Sequence, residues 1–202
     1  MNAIKHLWFD FGETLAFTKR EAYETLQYQT YADVVGAPVS PELIQKYKAL
    51  YKTYKSSSAV FVSLDLSGSF WSDRVNAAPP ETIFQLTEES VPTILNQLKD
   101  ILPISVFSNT KLDTLLPALG IDVSWFTHRI GPYDIQNPKP ALDGFYKMIE
   151  LSGVLGQEIL YIGDNVEKDL VPATKAGIFT GLLWKASDKA DYCFKDFSDI
   201  LV

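Results

Sequence analysis

Four short stretches carry side chains able to do polar chemistry, and each sits beside an apolar run. Phe9-Asp10-Phe11-Gly12-Glu13-Thr14-Leu15 places a carboxylate at the end of the first run. Val106-Phe107-Ser108-Asn109-Thr110 ends another with a hydroxyl. Asn137-Pro138-Lys139-Pro140 holds one lysine between two prolines. Tyr161-Ile162-Gly163-Asp164-Asn165-Val166-Glu167-Lys168-Asp169 puts two carboxylates just beyond a third run. A carboxylate at the end of an apolar strand is costly to bury without a partner, so Asp10 calls for a cation. Asp164 and Asp169 offer hard oxygen ligands of the kind that suit Mg²⁺. A hydroxyl beside a helix N-terminus suits an anion, and Thr110-x-x-Asp113 resembles a capping box that would start such a helix. A lysine restricted by two prolines can neutralise a carboxylate and a phosphate together, with Pro140 suited to the first turn of the next helix. Taken singly, each stretch also reads as a cap, a turn or an exposed loop lysine. Their shared position at strand ends favours one site for a metal ion and a phosphoryl group.

The elements that must position these residues follow from the apolar pattern. Strand-like runs fall at 4–9, 104–108, 125–130, 158–163, 179–184 and 190–194, rich in Ile, Leu, Val, Phe, Tyr and Trp. Helical periodicity occupies 111–119, 141–152 and 168–176. Leu119-Gly120-Ile121 and Ala176-Gly177-Ile178 repeat one device, a glycine able to end a helix in the left-handed conformation before an apolar run. This alternation predicts an α/β fold, a Rossmann-like parallel sheet with helices on both faces. Ligands of such sheets bind at the carboxyl ends of the strands, where the four stretches lie.

The segment 18–98 breaks the rhythm and is predicted to form a small helical cap domain. Residues 1–17 and 99–202 would then make the core domain. Within the cap, Tyr47, Tyr51 and Tyr54 share a helix face flanked by Lys46, Lys48, Lys52 and Lys55. This is read first as a packed aromatic stripe with solvated lysines, and otherwise as a wall facing a substrate. Ser56-Ser57-Ser58 and Ala77-Ala78-Pro79-Pro80 read as loop punctuation.

Bulk composition narrows the function classes. With 47% hydrophobic and 21% charged residues, the 202-residue chain is an ordinary globular protein. Its net charge of -7 argues against a nucleic-acid-binding surface but not against a small phosphorylated substrate. No apolar run approaches the roughly 20 residues of a membrane helix, and the first residues do not form a signal h-region. A cytoplasmic protein without membrane partners is expected, of open oligomeric state. The single cysteine, Cys193, lies in an apolar stretch and is predicted to be a buried thiol.

In order and spacing the four stretches resemble the motifs of the haloacid dehalogenase (HAD) superfamily, most of whose members are phosphatases, over the whole chain. Asp10 and Thr14 match the first motif, Ser108 the second, Lys139 the third, and Gly163, Asp164 and Asp169 the fourth. The helical segment 18–98 matches the family's cap. The resemblance implies a nucleophile at Asp10 that forms an aspartyl phosphate. It implies Mg²⁺ held by Asp10, the Gly12 carbonyl, Asp164 and, indirectly, Asp169. Ser108, Asn109 and Lys139 would hold the phosphoryl oxygens.

One position departs from the pattern. Phosphatases of the family carry an acid–base Asp two residues after the nucleophile, and here that residue is Gly12. General acid–base catalysis contributes typically about 10²–10⁴-fold, so slow turnover is expected unless Glu13 substitutes. Gly12 keeps open a catalytically weak or inactive protein that binds a ligand or partner. A dehalogenase would lack the acid too, but also the Gly-Asp pair. A phosphonate-cleaving relative would use a cap lysine, and a response-regulator-like protein would lack the inserted segment and the Lys139 loop.

Overall fold

The computed structural model describes residues 3–201. Strands β1 (His6–Phe9), β4 (Ile104–Phe107), β5 (Phe126–Ile130), β6 (Ile159–Gly163), β7 (Phe179–Leu183) and β8 (Tyr192–Phe194) form one sheet. All pairings in it are parallel, in the order β5-β4-β1-β6-β7-β8. The predicted α/β class and all six predicted strands are present. The central strands β1, β4 and β6 are buried along their length, which explains their unbroken apolar sequences. Edge strand β5 alternates buried and exposed residues instead.

Period-two alternation sends side chains to two cores. Leu7, Phe9, Ile104, Val106 and Ile162 enter the larger one. Trp8, Phe107, Ile159 and Tyr161 enter the smaller one, with Phe145 and Met148 of α8 (Asp143–Ser152). Trp8 donates its indole N–H to Ser152 on that helix at 2.8 Å. The predicted glycine device is present at Gly120 (φ 73) and Gly177 (φ 82), where a side chain would be strained.

Strands β2 (Ala16–Thr18) and β3 (Phe84–Leu86) pair antiparallel and form a ribbon separate from the main sheet. Between them lie α1 (Arg20–Val35), α2 (Pro41–Tyr54), α3 (Ser57–Val62), α4 (Phe70–Asn76) and α5 (Pro80–Ile83). The segment 18–98 therefore divides in two. Residues up to 83 form this helical group, whereas α6 (Val91–Leu98) packs against the 3₁₀ turn Phe197–Leu201. Within the group, Phe61 stacks on Trp71 at 5.6 Å and Tyr47 packs on Tyr31 at 5.5 Å. Each such aromatic ring contributes about 1.5–3 kcal/mol on burial. The tyrosine stripe splits accordingly: Tyr47 is core, whereas Tyr51 and Tyr54 are exposed.

Two expectations need correction. Cys193 is exposed, because β8 is the short outer strand of the sheet. The helix expected at 111–119 shrinks to α7 (Leu115–Ala118). The amide of Lys111 donates to Ser72 Oγ at 2.7 Å and Thr114 Oγ1 donates to Asn76 Oδ1 at 2.9 Å. Both groups are thus drawn toward α4 rather than into a helical turn.

His6 lies beneath the sheet's small core. Its Nε2 pairs with Ser105 Oγ at 2.8 Å, and its ring stacks on Trp8 and His128 at 5.5 and 6.0 Å. The small Ser105, on the strand between, lets the two histidines approach. Burial, and then the charge of His128, pushes His6 down to about 4. The unfolded ring protonates near 6.5. Between those values the unfolded chain binds the extra proton, so stability is present above pH 6.5 and falls as pH drops toward 4. Denaturant unfolding at pH 7 and pH 4.5 should show a smaller pH-dependent loss in His6→Gln than in wild type. Equal losses would place the titration elsewhere.

Candidate active site

The central position of β1 decides the geometry. Its neighbours are β4 and β6, so the residues following all three strands meet at one edge of the sheet. Asp10 continues the ladder by donating its amide to Ile162 at 2.8 Å, and Ser108 does so to Ile130 at 3.0 Å. Asp164 follows the last residue of β6.

Lys139 binds the set together. Its side chain is 1% exposed. Its Nζ donates to Asp10 Oδ1 at 2.6 Å, Tyr161 OH at 2.7 Å, Asp169 Oδ1 at 2.9 Å and the Phe107 carbonyl at 3.3 Å. Tyr161 in turn donates its hydroxyl to Asp169 Oδ1 at 3.0 Å. Burial, then the charges of Asp169 and Asp10, pushes the phenol well above its usual range, so it stays neutral and able to donate. A second ammonium, Lys168, donates to Asp10 Oδ2 at 3.1 Å and lies 3.7 Å from Asp169 Oδ2. Burial pushes the Asp10 carboxyl up, but the two lysines outweigh it and hold it below the usual carboxylate value.

Asp164 behaves oppositely. Burial, reinforced by Asp169 and Asp10 and opposed by Lys168, pushes it up to about 7. One oxygen from each of Asp10, Asp164 and Asp169 lies within 4.8 Å of the others. Asp164 Oδ1 and Asp169 Oδ2 are buried and accept no hydrogen bond among the described residues. Converging carboxylates with unsatisfied oxygens fit a small hard cation such as Mg²⁺.

Asp10, Gly12, Ser108, Asn109, Lys139 and Lys168 all line one cavity of about 80 Å³, together with Tyr23, Tyr51, Trp71 and Ser56–Ser58. A wider cavity of about 410 Å³ shares Gly12, Thr18, Tyr23, Tyr51 and Lys168 with it. The serine run is therefore more than loop punctuation. Ser56 caps α3 and donates its hydroxyl to the Lys139 carbonyl at 2.9 Å. Asn109 receives the Lys139 amide at 2.8 Å and returns its own side-chain N–H to the Lys139 carbonyl at 3.0 Å. The Asn109 side chain thus grips the lysine loop.

The structure changes other local expectations. Thr110 does not open a helix, so no helix dipole faces Ser108; its amide instead donates to Ser108 Oγ at 3.1 Å. Pro140 precedes α8 rather than joining its first turn, and the carboxylate of Asp143 closes the loop by accepting from the Asn137 amide and side chain. Glu13 is committed: one carboxylate oxygen accepts from Thr18 N at 2.9 Å and Thr18 Oγ1 at 2.7 Å. Its carbonyl accepts from Trp184 at 2.7 Å. Thr14 is buried in the same turn, its amide bonded to the Phe11 carbonyl at 3.3 Å.

Residues 7–182 match the family of haloacid dehalogenase-like hydrolases. The chain belongs to that family. No curated protein matches the sequence. Among solved structures, a HAD phosphatase from Thermococcus onnurineus is similar at 19% identity and TM-score 0.72, over 98% of this chain and 96% of that one. A protein from Bacillus subtilis solved with bound magnesium is similar at 15% identity and TM-score 0.62, over 98% and 97%. A 2-haloacid dehalogenase from Pseudomonas syringae pv. Tomato is similar at 18% identity and TM-score 0.62, over 98% and 96%. The hydrolase shares their fold. Among its described residues no helix is long and apolar enough to cross a membrane.

Two participants escaped the sequence reading. Tyr161 resembles any strand aromatic, and only its position beneath Asp10 distinguishes it. Lys168 stands beside Asp169 in what reads as a helix, where neighbours point apart. The observed π-helical turn Val166–Leu170 instead brings both into the site, as such turns do at functional positions.

Gly163 makes room for that turn. A Cβ there would lie 2.9 Å from Asp169 Cβ. Gly163→Ala should push Asp169 from Lys139 and cost about 1–3 kcal/mol in denaturant unfolding. Wild-type stability in the variant would mean that the turn yields without strain.

Proposed function

We propose that this hydrolase is a Mg²⁺-dependent phosphatase for a small phosphorylated metabolite, working in the cytoplasm through an aspartyl phosphate on Asp10. The observation that carries the reading is the convergence of Asp10, Asp164 and Asp169, two with unsatisfied buried oxygens, beside a buried lysine. The ion would be held by these carboxylates, with Gly12 at the same cavity wall. When bound, it supplies positive charge against the phosphoryl oxygens.

The chain's own residues carry the steps. Lys139 orients Asp10 and keeps its carboxylate ionised at neutral pH. An Asp10 oxygen attacks phosphorus, and the ester oxygen leaves with the bonding electrons. Ser108, Asn109 and Lys139 line the cavity where the phosphoryl oxygens would lie. Water then attacks phosphorus, the bond to Asp10 breaks, and phosphate departs. The proton from that water has no side-chain acceptor at residue 12 and passes to solvent. Glu13, tied to Thr18, is not positioned to take it. Both steps therefore run without the acid–base help worth about 10²–10⁴-fold. The small cavity volume of about 80 Å³ favours a compact phosphorylated group.

A weakly catalytic, ligand-binding protein is the second reading, and Gly12 together with the committed Glu13 favours it. Dehalogenation is less consistent with the site. A dehalogenase would lack the Gly163-Asp164 pair that is present here.

Assays of p-nitrophenyl phosphate, a sugar phosphate and a 2-haloacid, with Mg²⁺ or with chelator, test the proposal. Mg²⁺-dependent release of nitrophenol is expected, as a burst followed by slow turnover. An aryl leaving group is already a stable anion and needs the missing acid least. No phosphate release from any ester, or haloacid turnover in chelator, would overturn it. Calorimetry should show Mg²⁺ binding that Asp164→Asn removes, and equal affinity would sink that ligand assignment.

Gly12→Asp gives a sharper test. A Cβ at Gly12 meets nothing within 4 Å, so a side chain can start there without a clash. Steady-state turnover of the sugar phosphate should rise by about 10²-fold or more, with a smaller gain for the aryl ester. Fast wild-type turnover of the sugar phosphate, lost in Glu13→Gln, would show that Glu13 supplies the proton after all.

A further inference from the structure

The two lysines of the site are held differently. Lys139 is enclosed, with four acceptors around its Nζ. Lys168 has one hydrogen-bonded acceptor, Asp10 Oδ2 at 3.1 Å, and a looser approach of 3.7 Å to Asp169 Oδ2. Its side chain is 18% exposed and lines both the small and the wide cavity. It thus has a path out of the carboxylate cluster. Asp169 Oδ2, which it approaches, is one of three buried side-chain oxygens without a hydrogen bond among the described residues.

The local fold keeps this ammonium aimed inward. Asn165 caps the π-helical turn by accepting from the amides of Glu167 and Lys168 at 3.0 Å each. Glu167 faces outward and pairs with Lys55 at 2.6 Å. Lys168 and Asp169 are left facing the site.

We infer that the Lys168 ammonium competes with the divalent cation for the Asp10–Asp164–Asp169 cluster, so that the protein carries a built-in counterion the metal must displace. This rests on the metal-dependent reading above. A cation bound among these three carboxylates would sit against an ammonium already touching two of them, and like charges at that separation repel strongly in a water-poor site. Lys168 must swing toward the wider cavity as the ion enters. Metal affinity is thereby set lower than the three carboxylates alone would give.

The test is calorimetric titration of Mg²⁺ into the intact chain, with the Mg²⁺-induced rise in melting temperature as a second readout. Lys168→Met keeps the apolar stem and removes the charge. It should bind Mg²⁺ on the order of tenfold to a hundredfold more tightly than wild type and show the larger melting shift. Lys168→Arg keeps the charge and should show no gain. Lys46→Met removes an exposed lysine that pairs with Glu42 on α2, away from the cluster, and should stay within about twofold of wild type. Should Lys168→Met not fold, Lys168→Gln serves the same comparison. Wild-type binding with equal or weaker binding in the neutral variants would overturn the competition while leaving the metal reading intact. A matching gain in Lys46→Met would overturn it as a general field effect. Absence of Mg²⁺ binding in every protein would overturn both.

Discussion

The pairing of Lys139 with Asp10 and Asp169 is the constraint around which this end of the molecule is arranged. A lone buried ammonium or carboxylate costs several kcal/mol, and removing one partner of such a pair is more damaging than never having built it. Lys139, Asp10 and Asp169 therefore cannot move independently of one another. Asp10 is set by β1, Asp169 by the π-helical turn, and Lys139 by a loop gripped at both its amide and its carbonyl. Tyr161 fills the space beneath with a hydroxyl that accepts from the lysine and donates to the carboxylate. The price of gathering these charges is met by mutual satisfaction, and the same arrangement leaves a rigid, ionised carboxylate, Asp10, at the sheet edge.

The cluster is nevertheless unbalanced. Asp10, Asp164 and Asp169 face two ammoniums, Lys139 and Lys168. Burial raises both carboxyls, but Lys139 and Lys168 bond to Asp10 and hold it low, whereas Asp164, with no hydrogen-bonded lysine among the described residues, is raised to about 7. Two carboxylates within one constellation thus differ because of where the lysines reach, not because of residue type. Such divergence is a mark of functional sites.

Much of this was legible from sequence because its signals are local. The sheet strands are short apolar runs, and a residue at the end of each is placed by topology alone; that carries Asp10, Ser108 and Asp164 to one edge. What was illegible depends on contacts distant in sequence or on departures from regular geometry. Tyr161 has no sequence mark beyond being aromatic. Lys168 faces inward only because the turn is π-helical, and Ser56 matters only because the Lys139 carbonyl lies opposite. The exposure of Cys193 depends on strand order, which an apolar triplet cannot reveal. Thr110 shows the converse error: its capping signal is locally sound, but the neighbouring amide of Lys111 is drawn to Ser72 in α4.

These distant contacts share a direction. Ser56 reaches the Lys139 carbonyl, Ser58 the Asn109 carbonyl at 3.5 Å, Ser72 the Lys111 amide and Lys55 the carboxylate of Glu167. Tyr133 donates to Asp73 in the same manner. The helical group between β2 and β3 thus touches the core through the very loops that carry Asn109, Lys139 and Lys168. These contacts are polar and contribute only about 0.5–1.5 kcal/mol each. They sit beside an apolar junction, because Phe61 and Trp71 of the helical group belong to the same buried cluster as Leu7, Phe9 and Val106 of the sheet. The physical consequence is coupling: the position of the helical group and the placement of the lysine loops are fixed by the same hydrogen bonds. Whatever shifts one must strain or release the other.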